Sequence, residues 1–496
     1  METRGRTLRE LATVVGARVL GDPDTIVTDV THDSRLTGPG FLFAALKGGH
    51  VDGHDFVGQA VGAGSSAVLV SHQLDATKPQ LIVDDPRAVL GTLCAAVHDH
   101  PSRTMDVVGV TGTNGKTTVT HFVASIGAGA TLSTGLIGTI HTRIGDREIP
   151  AGLTTPEAPE FQRLLARMRD EGVALVAAEV SSHALELGRV QGTEFAVAAF
   201  TNISQDHLDF HGDMDSYRAV KSRLFTDYEV GTAVVNVDDE LGTQIAGGFD
   251  GNLLTVGAGA DVSFGDLEHV GDGTAFSLDT PWGSVRVQTP VMGEFNVANL
   301  ALAAACCLAV GIDFESVAAG MEDIEGVPGR FETVSGADPI MVIVDYAHTP
   351  VGVARAVAAG RRLAQGRVIG LIGAGGDRDR RKRAAMGAAI SAADLVVVTS
   401  DNPRSEKPEA IIAAVEAGVE PGTDCHVEVD RRLAIRLAID AAEDGDVVLI
   451  LGRGHETHQQ IDSRLIDFDD REVAAAALAA KRSSTESSGS SGSMTP

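Results

Sequence analysis

From Gly109 to Thr118 the chain reads G-V-T-G-T-N-G-K-T-T, after a strand-like run (Met105 to Val110) and before a helix-like one. Backbone N–H groups of a glycine-rich turn at a helix N-terminus point at anions, so this turn reads as a nucleotide phosphate cradle. Thr111, Gly112, Thr113, Asn114, Gly115, Lys116 and Thr117 form it. Lys116 is placed to bridge the terminal phosphates, and Thr117 to ligate the accompanying magnesium. The chemistry implied is ATP consumption. One departure stands out: a strict P-loop carries glycine five residues before the Gly-Lys pair, where this chain has Val110, and Gly109 lies one residue early.

Two further motifs close neighbouring strand-like runs: Glu179-Val-Ser-Ser-His183 and Thr201-Asn-Ile-Ser-Gln-Asp-His-Leu-Asp209. A carboxylate (Glu179) and an imidazole (His207) at strand ends beside a P-loop suit magnesium, which prefers oxygen donors and tolerates an imidazole among them. The competing reading makes Glu179 a helix cap and His207 the filler of a turn. Farther on, Tyr217, Val220, Lys221, Leu224 and Phe225 share one apolar stripe at helical spacing, so Lys221 faces inward. Burial favours the neutral amine, which can react with CO₂ to give a carbamate, a carboxylate-like metal ligand. The alternative is a packed stem whose ammonium reaches water.

Four more strand-like runs end in glycine and polar residues: Asp345-Tyr-Ala-His348, Gly373-Ala-Gly-Gly-Asp-Arg378, Asp401-Asn-Pro-Arg404 and Gly452-Arg-Gly-His-Glu456. On one sheet edge they would make a site. Arg378, Arg404 and Glu456 offer two guanidinium forks and one carboxylate, the complement of an amino acid's carboxylate and ammonium groups. Taken singly, each loop is a simple turn.

The elements that must hold these residues are those of an α/β protein. At about 150 residues per domain, 496 residues allow three domains. An N-terminal segment, 1–104, mixes strands with short helices and ends at the polar stretch His98 to Arg103, read as a linker. Residues 105–332 alternate β-branched and helical runs, as a doubly wound P-loop sheet domain does, and 333–481 repeat that alternation as a Rossmann-like domain. From Arg482 to Pro496 the chain is Ser/Gly/Thr-rich without apolar periodicity, and a disordered tail is expected.

A net charge of −28 argues against nucleic acid or an anionic membrane as partner. Cys94, Cys306, Cys307 and Cys425 show neither metal-ligand spacing nor a disulfide framework. The N-terminus lacks a signal-peptide core, and no apolar run is long enough to span a bilayer. A cytoplasmic enzyme, taken as a monomer, is the expectation.

The joint occurrence of T-G-T-N-G-K-T-T, E-V-S-S-H, T-N-I-S-Q-D-H-L-D-F-H-G, the Tyr217 to Phe225 helix, G-E-F-N-V-A-N, Gly329-Arg330, D-Y-A-H, D-N-P-R and G-R-G-H-E resembles the Mur ligases in order and spacing, across residues 8 to 480. The resemblance implies a ligase of peptidoglycan precursor synthesis. Its substrates would be ATP with Mg²⁺, UDP-N-acetylmuramoyl-L-alanyl-D-glutamate and meso-2,6-diaminopimelate, and its intermediate an acyl phosphate sheltered from water by closure of the third domain. It further implies that Asn299 and Arg330 contact adenine or phosphates and Asp345 the ribose. Ser34, Thr154, Thr155, Ser181 and Arg189 would hold the nucleotide-dipeptide. Thr117, Glu179, His207 and carbamylated Lys221 would hold metal, and Lys116, Glu179, His207 and Lys221 would serve catalysis. Arg378, Asp401, Asn402, Pro403, Arg404, Gly452 and Glu456 would form the diaminopimelate pocket. Leu187 stands where some members place a glutamine, and Arg453 replaces the lysine of G-K-G-H-E, a change read as conserving charge. Two rivals are a folylpolyglutamate-type ligase, which shares the ATP core, and a regulatory nucleotide-binding protein without a ligase step.

Overall fold

Alternating apolar runs and turns build three principal sheets, with strands from Arg18 to Ile82, from Asp106 to Val256 and from Glu332 to Leu451. A computed structural model of the chain describes residues 5–49, 51–271, 273–334 and 339–489, with side chains to 483. Contacts divide it into two compact units. The first comprises Met1–Asn202, Arg218–Ser263 and Leu302–Gly320; the second comprises Ile203–Tyr217, Phe264–Ala301 and Met321–Pro496.

The first unit holds two of the sheets. One has five strands, Asp29–Thr31, Phe41–Ala44, Ala67–Val70 and Gln80–Ile82 in parallel, with Arg18–Leu20 antiparallel at the edge. The other has eight. Its strand Asp106–Thr111 lies between Leu175–Glu179 and Phe195–Phe200, all parallel, with Thr134–Ile137 beyond the former and Val230–Asn236 and Asn252–Val256 beyond the latter. These central strands are buried on both faces, as their unbroken Val/Ala runs require. The expected strands therefore form. The antiparallel pair His141–Ile144 and Arg147–Pro150 extends this sheet and was not anticipated, because short, charged edge strands lack an apolar pattern.

In the second unit a six-stranded sheet carries Met341–Asp345, Val447–Leu451, Val368–Ile372, Leu395–Val398 and Asp424–Val427 in parallel, with the antiparallel Glu332–Thr333 at one edge. Alternate residues feed two cores. Val342, Val344, Ile369 and Leu371 pack with Ile435, Ile439 and Leu478, whereas Ile343, Val368, Ile372 and Leu451 pack with Val353, Met386 and Ile411.

Two expectations need correction. His98 to Arg103 is not a solvated linker: His98 is buried, and Pro101–Thr104 forms a 3₁₀ turn with Pro101 and Ser102 buried. Arg169 Nη1 donates to His98 O at 2.7 Å and Glu194 N to Ser102 Oγ at 3.1 Å, so this part of the stretch is packed into the protein, while Asp99 and Arg103 stay exposed. The last helix, Asp470–Gly489, runs through Arg482, where disorder was expected to begin. Val473, Ala474 and Leu478 anchor its first turns in the core, and a started helix propagates at one hydrogen bond per residue. Residues 490–496 of that tail lie outside the described residues. Among the described residues no helix is long and apolar enough to cross a membrane.

Candidate active site

In the first unit, the P-loop leaves the C-terminal end of Asp106–Thr111 and enters the helix Lys116–Gly129. Gly112 has φ +141° and Gly115 φ +88°; a Cβ on Gly112 would also collide with Thr201 Oγ1, so this turn requires glycine. The loop is pinned from the neighbouring strand end. Thr113 N donates to Asn202 O at 2.7 Å, Thr201 Oγ1 to Asn114 O at 2.6 Å, and Asn114 N to Asn202 Oδ1 at 3.2 Å. Lys116 Nζ bonds Gly112 O and Thr113 O at 3.0 and 2.9 Å.

Glu179 ends the strand paired on the other side, in register with Val110, and is fully buried. Thr117 Oγ1 donates to its Oε2 at 3.0 Å, so the expected metal-binding hydroxyl and carboxylate do meet. Thr139, not anticipated, donates its N–H to Glu179 Oε1 at 2.7 Å and its hydroxyl to Oε2 at 3.1 Å. It sits in a bend with no periodic pattern, and no sequence signal marks it. Lys221 lies on the helix Met214–Thr226 at 1% exposure, and its Nζ donates to Gly112 O at 2.6 Å. The inward-facing reading holds: Tyr217, Val220, Leu224 and Phe225 are buried alongside it.

The residues expected to hold the nucleotide-dipeptide continue from Glu179. Thr155 Oγ1 donates to Glu179 O at 2.7 Å and lies 3.2 Å from Ser181 Oγ; Thr154 Oγ1 accepts from Thr139 Oγ1 at 3.1 Å. Arg189 Nη1 donates to Thr155 O at 3.1 Å and its Nη2 pairs with Glu157 at 2.8 Å, a partner that went unrecognised. Ser34 is buried and bonds Gln59 Oε1 at 3.1 Å. One connected network thus runs from Thr117 to Arg189.

Among the described residues no cluster of three or more His, Cys, Asp or Glu could hold a metal alone. Thr117 and Glu179 nonetheless fit magnesium, which takes few protein oxygens and completes its shell with water and phosphate.

The second unit contains His207, with φ +54° at the start of Leu208–His211 and its Nε2 3.4 Å from Asp206 Oδ2. Asp206 also meets His348 at 3.5 Å and Lys382 at 3.2 Å. Burial would push the Asp206 carboxyl up, but the hydrogen bond from His348 and the charge of Lys382 outweigh it and hold the acid far below the usual range. Asn299 Nδ2 donates to Asn296 Oδ1 at 3.3 Å, one helical turn away. That i, i+3 pair was visible in G-E-F-N-V-A-N, yet Asn296 was passed over. Arg330 lies over the Tyr346 ring at 4.3 Å. Asp345 accepts from Phe331 N at 2.7 Å and Ala347 N at 2.8 Å; burial pushes its carboxyl up against the opposing pull of Arg330 and those N–H groups.

The D-N-P-R and G-R-G-H-E loops come together at the edge of the six-stranded sheet. Asn402 Nδ2 donates to Glu456 Oε2 at 2.6 Å, and a Cβ on Gly452 would press on Asp401 Oδ2. Burial and the nearby Asp401 push the Glu456 carboxyl up, against Arg453, Asn402 and Arg404. Arg404, following Pro403, adopts φ +51°, and its backbone pairs with the hairpin His458–Ile461/Arg464–Asp467, another element not anticipated. Arg378 is exposed. Arg453 does more than conserve charge. It is fully buried, and its planar fork donates from two nitrogens to Asn402 Oδ1 and Phe468 O, both at 3.0 Å, acceptors in two separate segments.

Family models described as the Mur ligase middle domain, the Mur ligase glutamate ligase domain and the Mur ligase family catalytic domain match residues 110–307, 329–454 and 26–98. The chain is 45% identical to UDP-N-acetylmuramoyl-L-alanyl-D-glutamate--2,6-diaminopimelate ligase of Geobacillus kaustophilus, covering 92% of this chain and 96% of that one. It is 43% identical to the ligase of the same description from Streptomyces coelicolor, over 94% and 95%. A solved structure of a ligase so named superposes with a TM-score of 0.71 at 30% identity, covering 96% of this chain and 99% of that one. Folylpolyglutamate synthase of Mycobacterium tuberculosis shares the fold, with a TM-score of 0.60 at 20% identity over 77% of this chain and 92% of that one. With its P-loop, strand-end carboxylate and inward lysine arranged as described, the chain belongs to the Mur ligase family.

Proposed function

We propose that this chain is an ATP-dependent ligase that joins meso-2,6-diaminopimelate to UDP-N-acetylmuramoyl-L-alanyl-D-glutamate in peptidoglycan precursor synthesis. The observation that carries the reading is the continuous network from Thr117 through Glu179 to Thr155, which bonds both Ser181 and Arg189 and so links the phosphate cradle to an arginine paired with Glu157. Relatives bearing that description match nearly the whole chain, whereas the folylpolyglutamate-type rival matches less of it.

The γ-phosphoryl group of ATP passes to an oxygen of the D-glutamyl γ-carboxylate, and ADP departs. The P-loop N–H groups and Lys116 stabilise the negative charge spread over the transferring group. Asn299 and Arg330 contact adenine or phosphates, and Asp345 the ribose. Magnesium, when bound, would neutralise phosphate charge; Thr117 and Glu179 would supply hard oxygens, His207 an imidazole and Lys221 a carbamate, formed from its neutral amine and CO₂ with release of a proton. Thr154, Thr155, Ser181, Ser34 and Arg189 hold the nucleotide-dipeptide. The acceptor amine attacks the acyl carbon, phosphate leaves with the bonding pair, and the amine loses a proton to complete the amide. Arg378, Asp401, Asn402, Pro403, Arg404, Gly452 and Glu456 bind the acceptor's distal carboxylate and ammonium. We further assign the domains as 1–104 for the nucleotide-dipeptide, 105–332 for ATP and 333–481 for the amino acid, in a cytoplasmic monomer.

The test is phosphate release and product mass with ATP, the nucleotide-dipeptide and a panel of amino acids. Turnover that requires both the nucleotide-dipeptide and diaminopimelate supports the reading. Phosphate release indifferent to the acceptor removes the ligase step and leaves a nucleotide-binding protein.

A further inference from the structure

Arg378 and Arg404 sit on different loops, one after the strand Val368–Ile372 and one after Leu395–Val398, so gripping one small zwitterion requires the loops to keep a fixed separation. The two loops interlock through backbone and side-chain bonds. Gly376 N donates to Asn402 O at 2.9 Å and Arg404 Nη1 to Gly376 O at 2.7 Å. Ser405 donates its N–H at 3.2 Å and its hydroxyl at 2.7 Å to the Asp377 carboxylate. Glu406 answers from the other direction: its Oε1 accepts from Asp377 N at 2.7 Å, and its two oxygens take the Arg383 guanidinium at 2.8 and 3.1 Å. Arg380 pairs with the same carboxylate at 3.0 Å.

Backbone conformation shows that the interlock is under tension. Asp377 and Arg404 adopt φ +52° and +51°, a left-handed conformation unfavourable for residues with a Cβ unless their surroundings impose it. Each of these residues is adjacent to a member of the interlock or belongs to it. Hydrogen bonds from Arg383 and Asp377 hold the Glu406 carboxyl at about 2, so it remains an anion at every working pH.

We infer that Glu406 is a positioning residue for the amino-acid acceptor: by tying Asp377 N and Arg383 to the D-N-P-R loop, it sets the spacing of Arg378 and Arg404. The inference rests on reading these loops as the acceptor pocket. Glu406 itself is committed to Asp377, Arg383 and Arg380, and it acts through the two arginines.

The experiment is steady-state kinetics on the full chain with each substrate varied in turn, comparing wild type with Glu406→Gln and Ser405→Ala. Ser405 is exposed, so its substitution leaves folding intact while removing one strand of the interlock. In Glu406→Gln the KM for diaminopimelate is expected to rise about tenfold to a hundredfold, the cost of misplacing binding groups by an ångström, while the KM values for ATP and nucleotide-dipeptide stay within about twofold. Ser405→Ala should shift the acceptor KM in the same direction by a smaller factor. Unchanged acceptor KM in both variants, or an equal rise in all three KM values with a lowered Tm, overturns the inference and leaves the interlock as a stability feature. If wild type instead prefers another amino acid, the choice of substrate falls, and the same split measured with that acceptor still decides the role of Glu406.

Discussion

Asp470→Asn should damage stability and the acceptor site together. The Asp470 carboxylate is fully buried and takes a two-bond fork from Arg431, at 2.8 and 2.7 Å, with Arg453 3.8 Å away. Both arginines are themselves buried, so one carboxylate lies between two guanidiniums. Asparagine preserves the shape and removes the charge. Arg431 keeps Ser400 O and Leu451 O as acceptors, but neither offsets its charge. Breaking a buried ion pair from one side costs about 3–5 kcal/mol, because the remaining cation is neither hydrated nor paired. The assay is urea denaturation at constant pH, with the free-energy difference taken from the shift in midpoint. The variant should also show a raised KM for the acceptor, since Arg453 holds Asn402 at 3.0 Å and Asn402 holds Glu456. A loss below about 1 kcal/mol, in the range of exposed ion pairs, would refute the claim that this carboxylate compensates two buried cations.

Lys221→Ala should abolish most activity, and short carboxylic acids should partly restore it by replacing the carbamate; near-full activity without rescue would remove that role. Arg404→Ala should erase a preference for diaminopimelate over L-lysine of about a hundredfold, the value of a charge-assisted fork plus the penalty of leaving a half-buried guanidinium without its anion, and comparable wild-type efficiency with lysine would sink the substrate assignment. The third concerns acid stability. Burial would raise the Asp29 carboxyl, but His98 and the Arg163 fork at 2.9 Å outweigh it and hold it at about 2, below the ordinary aspartate value of 3.8. A depressed carboxyl stabilises the fold above its unfolded pKa, so this contribution, about 2 kcal/mol, is present above pH 4 and lost as pH falls toward 2. Denaturation of Asp29→Asn across that interval should show a flatter pH dependence than wild type, and parallel curves would dismiss the Asp29 contribution.

Much of this molecule is legible one residue at a time. The P-loop requires glycines at fixed offsets, and the parallel strands must be continuously apolar because both faces are covered, so both leave a local trace in the chain. The stripe that places Lys221 inside is equally local, since five residues at helical spacing define one face. Tertiary structure decides what these groups touch. Thr139 holds Glu179 from a bend 40 residues away, and Glu157, the residue that opens the helix Ala158–Asp170, pairs with Arg189 across 32 residues; no local pattern announces either partnership. Arg453 shows the same limit in a motif that was recognised: beside the expected lysine it differs in composition by one guanidinium, while in the fold that guanidinium joins Asn402 to Phe468. Periodicity records which way a side chain faces, because the backbone repeats. Partnership depends on which loops the sheet order brings to one edge, and that order is a property of the whole chain.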